Sequence, residues 1–600
     1  MFKRANKITS LLVAAASVMA LVPAYAADVK KIDSEDGTVY DAVAYKDGKF
    51  YVDGEINDDE EAYYVADGKF NKLEDVDSGD DADLFGEKYL DVSDGDYTVD
   101  LDKGSVTDDD VKGDTADDAA SALRKKIKDD TDDRYVENGT TGYSTDDIKD
   151  ENDGDTPDLS KLNIVPGAKY AEPWYYTAYA SSDADANKGS GSKLNVFTDT
   201  KGNYIDADYN LGKVKVETTA VAADGKKITK EDTIENTNDK YDAAGADDGL
   251  KASVDQVKVL TQDKDYIYRL VNVTVKVTKG DAIISEINGL AAGTGVLEYG
   301  ATKQSVTFPA IQKISKAQNS DEVDGAKYAK SVTTYALSND SAETLDDAGL
   351  FTDDIDAHYT VVGTKLVAYT TDKSYTGASS EGAKVLARAY TLKSKSSYYY
   401  ADSEDQTKED CEVSAQDDKT SAVQTDVDGN LWRLDGGYIY KFDGTDDWDK
   451  VFKVDGSFDE LSVYDKDNMV AWSEDDDVYS LIGGKSADEN NGGETTTPVT
   501  TAGWTQTAAG WTYTKADGTK ATGWLQDGGA WYYLKADGTM ATGWVQDGAT
   551  WYYLNGSGAM QTGWLNDNGT WYYLNGSGAM LANTTTPDGY YVGANGAWVK

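Results

Sequence analysis

The sequence is poor in the residues that cross-link a chain or bind transition metals. It holds one cysteine, Cys411, and one histidine, His358, among 600 residues. A single cysteine cannot form a disulfide within the chain, so the fold must be stabilised by packed cores rather than by cross-links. A single histidine excludes zinc sites with two histidine ligands, including the zinc site usual in amidases.

A cysteine–histidine dyad is a nucleophilic arrangement that this inventory still allows. Cys411 lies in the stretch EDQTKEDCEVSAQDD, in which carboxylates surround the thiol. Negative neighbours oppose formation of a thiolate, and neither a helix start nor a basic neighbour is evident to favour it. We therefore expect an inert thiol at Cys411 and a surface or structural imidazole at His358.

Basic residues are scarce relative to acidic ones. Lys and Arg number 58 and Asp and Glu number 109, which gives a net charge of −51 at pH 7. The stretch from Gly503 onward contains four Lys and six Asp, a net charge of −2, so nearly all of the negative charge precedes it. Nucleic acid is excluded as a partner, and the acidity predicts a solvated surface that keeps the protein soluble.

Two acidic turns are candidate calcium sites, the only metal sites that the sequence suggests. Oxygen ligands on alternate residues are the beginning of a calcium-binding loop. Neither turn has a glutamate at the twelfth position of such a loop, so a solvated turn is the simpler interpretation of both. The candidate ligands are Asp183, Asp185 and Asn187 in the first turn, and Asp426, Asp428 and Asn430 in the second.

One long apolar run occurs, from Ile8 to Val22. Three basic residues precede it, and Pro23 and the small-residue sequence at 24–26 follow it. This order is that of a secretory signal peptide, 1–26, and the run is shorter than the roughly 20 residues of a membrane-spanning helix. We expect cleavage after Ala26, no transmembrane anchor in the mature chain, and non-covalent retention at the surface.

Residues 27–485 form an acidic, β-rich region, the body. Short alternating or β-branched runs recur between turn residues, for example VAYKDGKFYVDG and YIYRLVNVTVKV. The Asp-Gly pairs at 47–48 and 67–68 favour tight hairpins because both residues tolerate positive φ. Apolar residues at helical spacing predict one helix over 114–128. The pattern predicts a mainly β fold, for which a β-propeller and tandem β-sandwiches are the alternatives.

Tryptophans recur every 20 residues in 503–600, beyond a polar stretch at 486–502 that is typical of a flexible linker. Each unit reads like GWLQDGGAWYYLKADGTMAT, in which Trp-Tyr-Tyr-Leu is a strand that precedes a turn. One hairpin cannot bury its rings alone, so a solenoid of stacked β-hairpins with atypical ends is predicted. The tryptophans in register are Trp504, Trp524, Trp544 and Trp564, and Trp511, Trp531, Trp551 and Trp571.

This motif resembles the cell-wall-binding repeats of the choline-binding protein family of Gram-positive bacteria. The resemblance covers about 503–600 and implies a β-hairpin solenoid whose grooves hold choline of teichoic acids between tryptophans, a tyrosine and a methionine. A quaternary ammonium forms no ordinary hydrogen bonds, so ring faces must supply the affinity, roughly 0.5–2 kcal/mol per cation–π contact. Several weak sites facing a repeating polymer gain affinity through avidity.

The candidate choline ligands are carried over from the resemblance position by position. Strand alternation places Trp551 and Tyr553 on one face, so the second tyrosine of each pair is expected to close the site of the preceding tryptophans. The two central sites consist of Trp524, Trp531, Tyr553 and Met560, and of Trp544, Trp551, Tyr573 and Met580. The end sites, for which a capping role is the alternative, consist of Trp504, Trp511, Tyr533 and Met540, and of Trp564, Trp571 and Tyr591.

These observations predict an exported, non-catalytic protein at the cell wall or cell surface of a Gram-positive bacterium. The alternative for the body is a wall hydrolase with a carboxylate-based active site, although no pair of carboxylates stands out among the 109 acidic residues. The alternative for the repeats is glucan binding, although their recurring positions offer few polar side chains that could bond sugar hydroxyls. No organic cofactor is predicted.

Overall fold

The computed structural model describes residues 29–130, 134–135, 162–180, 193–345, 348–352, 355–378, 382–412, 422–473, 475–483, 503–507, 510–515, 520–527, 530–535, 538–547, 550–555, 558–567 and 570–599. The predicted signal peptide, the linker at 486–502 and the first calcium turn lie outside these residues. The chain divides between Glu489 and Asn490 into two compact units. The first contains the body, and the second is the repeat unit.

The first part of the body is built from short antiparallel strands and one helix. The strands are β1 Lys30–Lys31, β2 Glu35–Asp36, β3 Thr38–Tyr45, β4 Lys49–Ile56, β5 Asp59–Ala66, β6 Lys69–Lys72, β7 Ala82–Phe85, β8 Tyr89–Val92, β9 Tyr97–Asp100 and β10 Ser105–Thr107. β3 to β6 form one four-stranded meander and β7 to β10 another. Asp67 and Gly68 have φ of 51° and 69°, which confirms the tight hairpin that this Asp-Gly pair predicts.

The predicted helix is confirmed as α1, Val111–Asp130. Asp110 accepts a hydrogen bond from the amide of Gly113 and so satisfies one of the free donors at the helix start. Ala119, Leu123 and Ile127 are buried, because their spacing places them on one face of the helix. Leu123 and Ile127 pack with apolar residues of the middle sheets.

The middle of the body contains longer strands and the largest sheet. The strands are β11 Asn163–Ile164, β12 Trp174–Ala180, β13 Lys193–Asp199, β14 Tyr204–Asp206, β15 Asn210–Val221, β16 Lys227–Asn236, β17 Tyr241–Ala243, β18 Ala246–Gln262, β19 Tyr266–Val277, β20 Ile283–Ile287, β21 Leu290–Ala291, β22 Ser305–Ser315, β23 Gln318–Val323, β24 Ala326–Ala329 and β25 Val332–Ala336. One sheet has the order β11-β12-β13-β14-β24-β23 and another the order β16-β15-β20-β21.

The last part of the body returns to meanders. Its strands are β26 His358–Val362, β27 Lys365–Thr370, β28 Ala383–Lys395, β29 Tyr398–Cys411, β30 Val423–Thr425, β31 Leu431–Asp435, β32 Tyr438–Phe442, β33 Trp448–Lys453, β34 Glu460–Asp465, β35 Asn468–Trp472 and β36 Val478–Ile482. A short helix, α2 Lys373–Thr376, and 3-10 helices at Lys46–Gly48, Gly295–Leu297 and Ala348–Phe351 complete the described elements. The largest sheet has the order β17-β18-β19-β22-β25-β29-β28-β27-β26.

The two ends of the body are paired with each other. β1 runs parallel to β33, with Lys30 opposite Phe452, and β2 runs antiparallel to β36, with Glu35 opposite Tyr479. The predicted mainly β fold is confirmed. Four-stranded meanders fit a β-propeller and tandem β-sandwiches alike, so that choice stays a prediction.

The repeat unit is a succession of two-stranded hairpins. Its strands are β37 Gly503–Thr507, β38 Gly510–Thr514, β39 Gly523–Asp527, β40 Ala530–Leu534, β41 Gly543–Asp547, β42 Thr550–Leu554, β43 Gly563–Asp567, β44 Thr570–Leu574, β45 Thr584–Thr585 and β46 Tyr591–Val592. Backbone hydrogen bonds join successive units, for example from the amide of Met560 to the carbonyl of Trp531, at 2.8 Å. Leu534, Leu554 and Leu574 are buried at equivalent positions. The predicted hairpin repeat is confirmed.

The described helices are α1, which is rich in charged residues, and the four-residue α2. Neither of them combines the length and the apolar composition that a bilayer-spanning helix needs.

Candidate functional site

Each repeat brings three rings together on one face of its hairpin. Trp524 in β39 lies opposite Tyr533 in β40, and their ring centres are 5.2 Å apart. Trp531 lies diagonally across, 6.4 Å from Trp524 and nearly perpendicular to it. Strand alternation causes this grouping, because residues 531 and 533 point to the same side of β40. The next two hairpins repeat these distances with Trp544, Trp551 and Tyr553, and with Trp564, Trp571 and Tyr573.

A fourth ring comes from the following hairpin. Trp524 contacts Tyr552 at 4.7 Å, and Trp544 contacts Tyr572 at 4.9 Å. The sequence prediction placed Tyr553 and Tyr573 there, whereas the ring contacts between hairpins are made by the first tyrosine of each pair. The physical reason is that one face of a hairpin meets the opposite face of the next one. The second tyrosine contacts the tryptophan of its own hairpin, and its role toward a ligand stays a prediction.

One tryptophan of each hairpin keeps part of its ring open to solvent. Trp531, Trp551 and Trp571 are 41%, 39% and 41% exposed. Apolar residues scattered singly on a surface are normal, but exposure of a large ring at equivalent positions in successive units is a regular feature of the array. The open ring faces therefore recur at one position per repeat.

The methionines join successive units, and their role as the floor of a ligand site stays a prediction. The amides of Met540, Met560 and Met580 donate to the carbonyls of Trp511, Trp531 and Trp551. Their sulfur atoms pack onto turn glycines of the next unit. Gly578 has a φ of 80°, and a Cβ there would lie 2.3 Å from the sulfur of Met560, so any larger residue would strain the backbone and displace the thioether. The first unit has Lys520 in place of methionine.

Aspartates hold the indoles of the preceding unit. The Nε1 groups of Trp524 and Trp544 donate to the carboxylates of Asp547 and Asp567, both at 3.0 Å, and Trp564 donates to Asp588 at 2.7 Å. The bonds to Trp564 and to the Thr586 hydroxyl lower the pKa of Asp588. Sequence reasoning missed these residues, although an Asp 23 residues after a Trp in three successive units is a visible signal.

The two ends of the array differ from its centre. Trp504 contacts Tyr513 of its own hairpin at 5.2 Å and Tyr532 of the next at 4.8 Å. Trp511 is exposed, like its equivalents in later units. At the other end, Tyr590 takes the position of the fourth ring, 5.6 Å from Trp564, and Trp598 packs against Tyr590. Tyr590, and not the Tyr591 that the sequence indicates, therefore makes the ring contact with Trp564 at this end.

The candidate residues of the body do not converge. Cys411 ends β29 and His358 begins β26, and β28 and β27 lie between these strands. Burial raises the pKa of the Cys411 thiol to about 12, so the thiol is protonated at neutral pH. This separation contradicts the Cys–His dyad that the residue inventory alone allows.

The second calcium turn is held together by its own hydrogen bonds. The buried carboxylate of Asp426 accepts from the amides of Asp428 and Asn430 and from the indole of Trp432. These N–H donors occupy the oxygens that a cation would need. Within the described residues, no three His, Cys, Asp or Glu side chains group as metal ligands.

Comparison with known proteins identifies the repeats. Family models of the choline-binding repeat match residues 521–557 and 560–598. No curated protein matches the chain.

Solved structures of three choline-related proteins are similar to parts of the chain. The choline binding domain of Spr1274 in Streptococcus pneumoniae is 51% identical over 13% of this chain and 96% of that one, with a TM-score of 0.13. Choline binding protein F from Streptococcus pneumoniae, solved in the presence of a peptidoglycan analogue, is 25% identical over 40% and 77%, with a TM-score of 0.16. The pneumococcal cell wall endolysin from phage Cp-1, complexed with choline, is 26% identical over 20% and 42%, with a TM-score of 0.14. The C-terminal region of this chain, with its stacked hairpins and repeat matches over 521–598, is therefore a choline-binding repeat module.

Proposed function

We propose that this is an exported, non-catalytic surface protein whose repeat unit attaches it non-covalently to choline of teichoic acids in a Gram-positive cell wall. The observation that carries the proposal is the recurring group of rings with one open tryptophan face in each hairpin. A methylated cation suits this group because it binds ring faces and needs no hydrogen-bond partner.

The central sites are the junctions at Trp524 and Trp544. In the first, Trp524 and Trp531 form the walls, Met560 lies at the base, and a tyrosine of the following hairpin closes the site. Tyr552 is the better candidate for that closing ring than Tyr553, because its ring is the one in contact with Trp524. The second site is equivalent, with Trp544, Trp551, Met580 and Tyr572 in place of Tyr573.

Release by free choline tests the attachment. Purified full-length protein is mixed with cell walls that carry choline and with walls in which ethanolamine replaces it. Retention only on the choline walls, and release by millimolar choline, is the expected result. Equal retention on both walls, or release by a soluble glucan and not by choline, would establish the glucan-binding alternative instead.

The same walls test the non-catalytic part of the proposal. The separation of His358 from Cys411 and the absence of grouped metal ligands among described residues support it, whereas a carboxylate pair needs no such signature. Turbidity and released reducing ends should stay constant during incubation with the protein. A steady release of reducing ends would establish the hydrolase alternative.

A further inference from the structure

A cavity of about 450 Å³ opens on the body where three sheets meet. Its walls come from the start of β15, the end of β16, the hairpin of β23 and β24, the strand β25 and the start of β29. We name it the tyrosine pocket after Tyr209, Tyr328 and Tyr399, which line it. Its volume lies within the range of small-molecule sites, about 300–1,000 Å³.

The rings of the tyrosine pocket are held in position by the surrounding structure. Tyr209 and Tyr328 have ring centres 4.6 Å apart at an interplanar angle of 57°. The guanidinium carbon of Arg134 lies 5.8 Å from the Tyr209 ring, and Arg134 is itself bound by the carboxylate of Asp206 at 2.7 Å. Tyr399 packs edge-on against Tyr335 at 5.9 Å. These contacts order the rings before a ligand binds. Such ordering lowers the entropic cost of binding.

The backbone of β15 is shaped to close one side of the pocket. Gly212 lies in a bulge between Asn210 and Val214 and has a φ of 74°. A Cβ on Gly212 would lie 2.5 Å from the carbonyl oxygen of Val332, so only glycine allows β15 to come this close to β25. The amide of Gly212 donates to the side chain of Asn210, which fixes the bulge.

The polar groups of the tyrosine pocket divide into two sets. The side chains of Asn210, Asn236 and Thr334 bond neighbouring protein groups and so build the walls. In contrast, the hydroxyls of Tyr209, Tyr328 and Ser331 and the amide nitrogen of Asn319 have no hydrogen-bond partner among the described residues. Four groups able to donate thus remain available beside fixed rings.

The charges around the pocket disfavour an anionic ligand. The cation that lines it, Lys213, has its Nζ 3.8 Å from Oε1 of Glu235, which also lines the pocket. A phosphate or carboxylate would therefore meet this carboxylate on an already acidic protein. A methylated cation would leave the hydroxyl and amide donors unused, because it offers no acceptor.

We propose that the tyrosine pocket binds a neutral saccharide. A sugar ring has an apolar C–H face for Tyr209 and Tyr328 and edge hydroxyls for the free groups of Asn319 and Ser331. A rigid aromatic surface with a few convergent polar groups is the general composition of a specific small-molecule site. The body then recognises a glycan independently of the choline-binding repeats.

Titration of the full-length protein with neutral oligosaccharides tests the proposal. The probes are tetramers of N-acetylglucosamine, cellulose-type glucose, starch-type glucose, mannose and xylose, each added in saturating choline so that the repeats are occupied. Calorimetry should detect saturable binding of at least one probe. Tyr328→Ala should weaken it about tenfold or more, and Ser331→Ala and Asn319→Ala each by several-fold.

Matched variants separate the pocket from general effects. Tyr40→Ala removes an exposed tyrosine of β3 and should leave saccharide binding unchanged. If Tyr328→Ala proves unfolded by circular dichroism, Tyr328→Phe and Ser331→Ala carry the test, because each removes only a hydroxyl. Release of Tyr328→Ala from choline walls should match the unaltered protein, so failure of this proposal is distinct from failure of wall attachment.

Three results would overturn the proposal. The first is that no probe binds saturably. The second is that the pocket variants bind the probe as tightly as the unaltered protein does. The third is that tetramethylammonium displaces the saccharide from protein whose repeats are already saturated with choline, since the pocket would then be a cation site.

Discussion

The body and the repeat unit use the same aromatic residues in opposite ways. In the body, Trp432, Tyr51 and Tyr390 are fully buried and fill the interior. In the repeat unit, one tryptophan of each hairpin is about two-fifths exposed at a fixed position. Burial of a ring stabilises the fold by roughly 25 cal/mol per Å² of apolar surface. The exposed part of an open ring makes no such contribution and can still be buried against a ligand. Exposure, more than residue type, therefore separates rings that fill the interior from rings that remain accessible to a ligand.

Removal of a buried ring from the body should give the largest effect on stability. Trp432→Ala is expected to lower the free energy of unfolding of the body by about 3–5 kcal/mol, because it leaves a cavity. It also removes the indole donor from Asp426. Denaturant unfolding of the full-length protein, followed at the transition of the body, measures this. Tyr40→Ala removes an exposed ring and should change the free energy of unfolding by less than about 0.5 kcal/mol. Equal losses of stability in the two variants would contradict the distinction between buried and exposed rings.

Removal of an open ring together with its half-buried neighbour in the proposed site should act on attachment instead. Trp544→Ala combined with Trp551→Ala is expected to lower wall affinity by roughly tenfold or more, because the proposed sites would act together through avidity. The unfolding transition of the body should not move. Cosedimentation with choline walls measures the first effect, and Lys535→Ala serves as a control in the repeat unit. Unchanged cosedimentation would mean that these rings only pack.

The aspartates between hairpins sharpen the comparison further. Asp567→Ala removes the acceptor for Trp544 and should weaken choline binding about threefold to tenfold, the value of one hydrogen bond. Asp567→Asn keeps an oxygen acceptor and should retain most of the affinity. Tryptophan fluorescence during a choline titration distinguishes the two variants. Equal weakening by both would assign the effect to the charge of Asp567 rather than to ring position.

The buried thiol of the body should have the smallest effect on function. Burial raises the pKa of Cys411 from 9.0 to about 12, so the folded state holds this proton to higher pH than the unfolded state does. The resulting stability is complete below pH 9 and is lost as pH rises toward 12. Iodoacetamide should label Cys411 slowly in native protein and rapidly in denaturant. Rapid native labelling at neutral pH would contradict the burial, and Cys411→Ala should remove the thiol-dependent part of the alkaline stability loss.

The sequence by itself determined the features whose cause is local. The 20-residue register gave the hairpins and the pairing of Trp524 with Trp531, because strand alternation and turn residues act over a few positions. The Asp-Gly hairpin at 67–68 and helix α1 follow from the same short-range rules. Strand alternation says which residues share a face, but not which face the next hairpin presents, so it could not indicate that Tyr552 contacts the ring of Trp524.

Only the tertiary structure decided which distant residues meet. β1 and β2 pair with strands more than 400 positions later in the chain. A two-residue strand is too short for its residue pattern to indicate which strand it pairs with. The tyrosine pocket likewise draws its walls from Tyr209, Tyr328 and Tyr399, which come from separate segments of the chain. The indole of Trp544 reaches Asp567 in the next unit because stacking sets their distance. Short-range sequence preferences determine the strands and helices. Contacts between these elements depend on how their buried faces pack together, and no short stretch of sequence determines that packing.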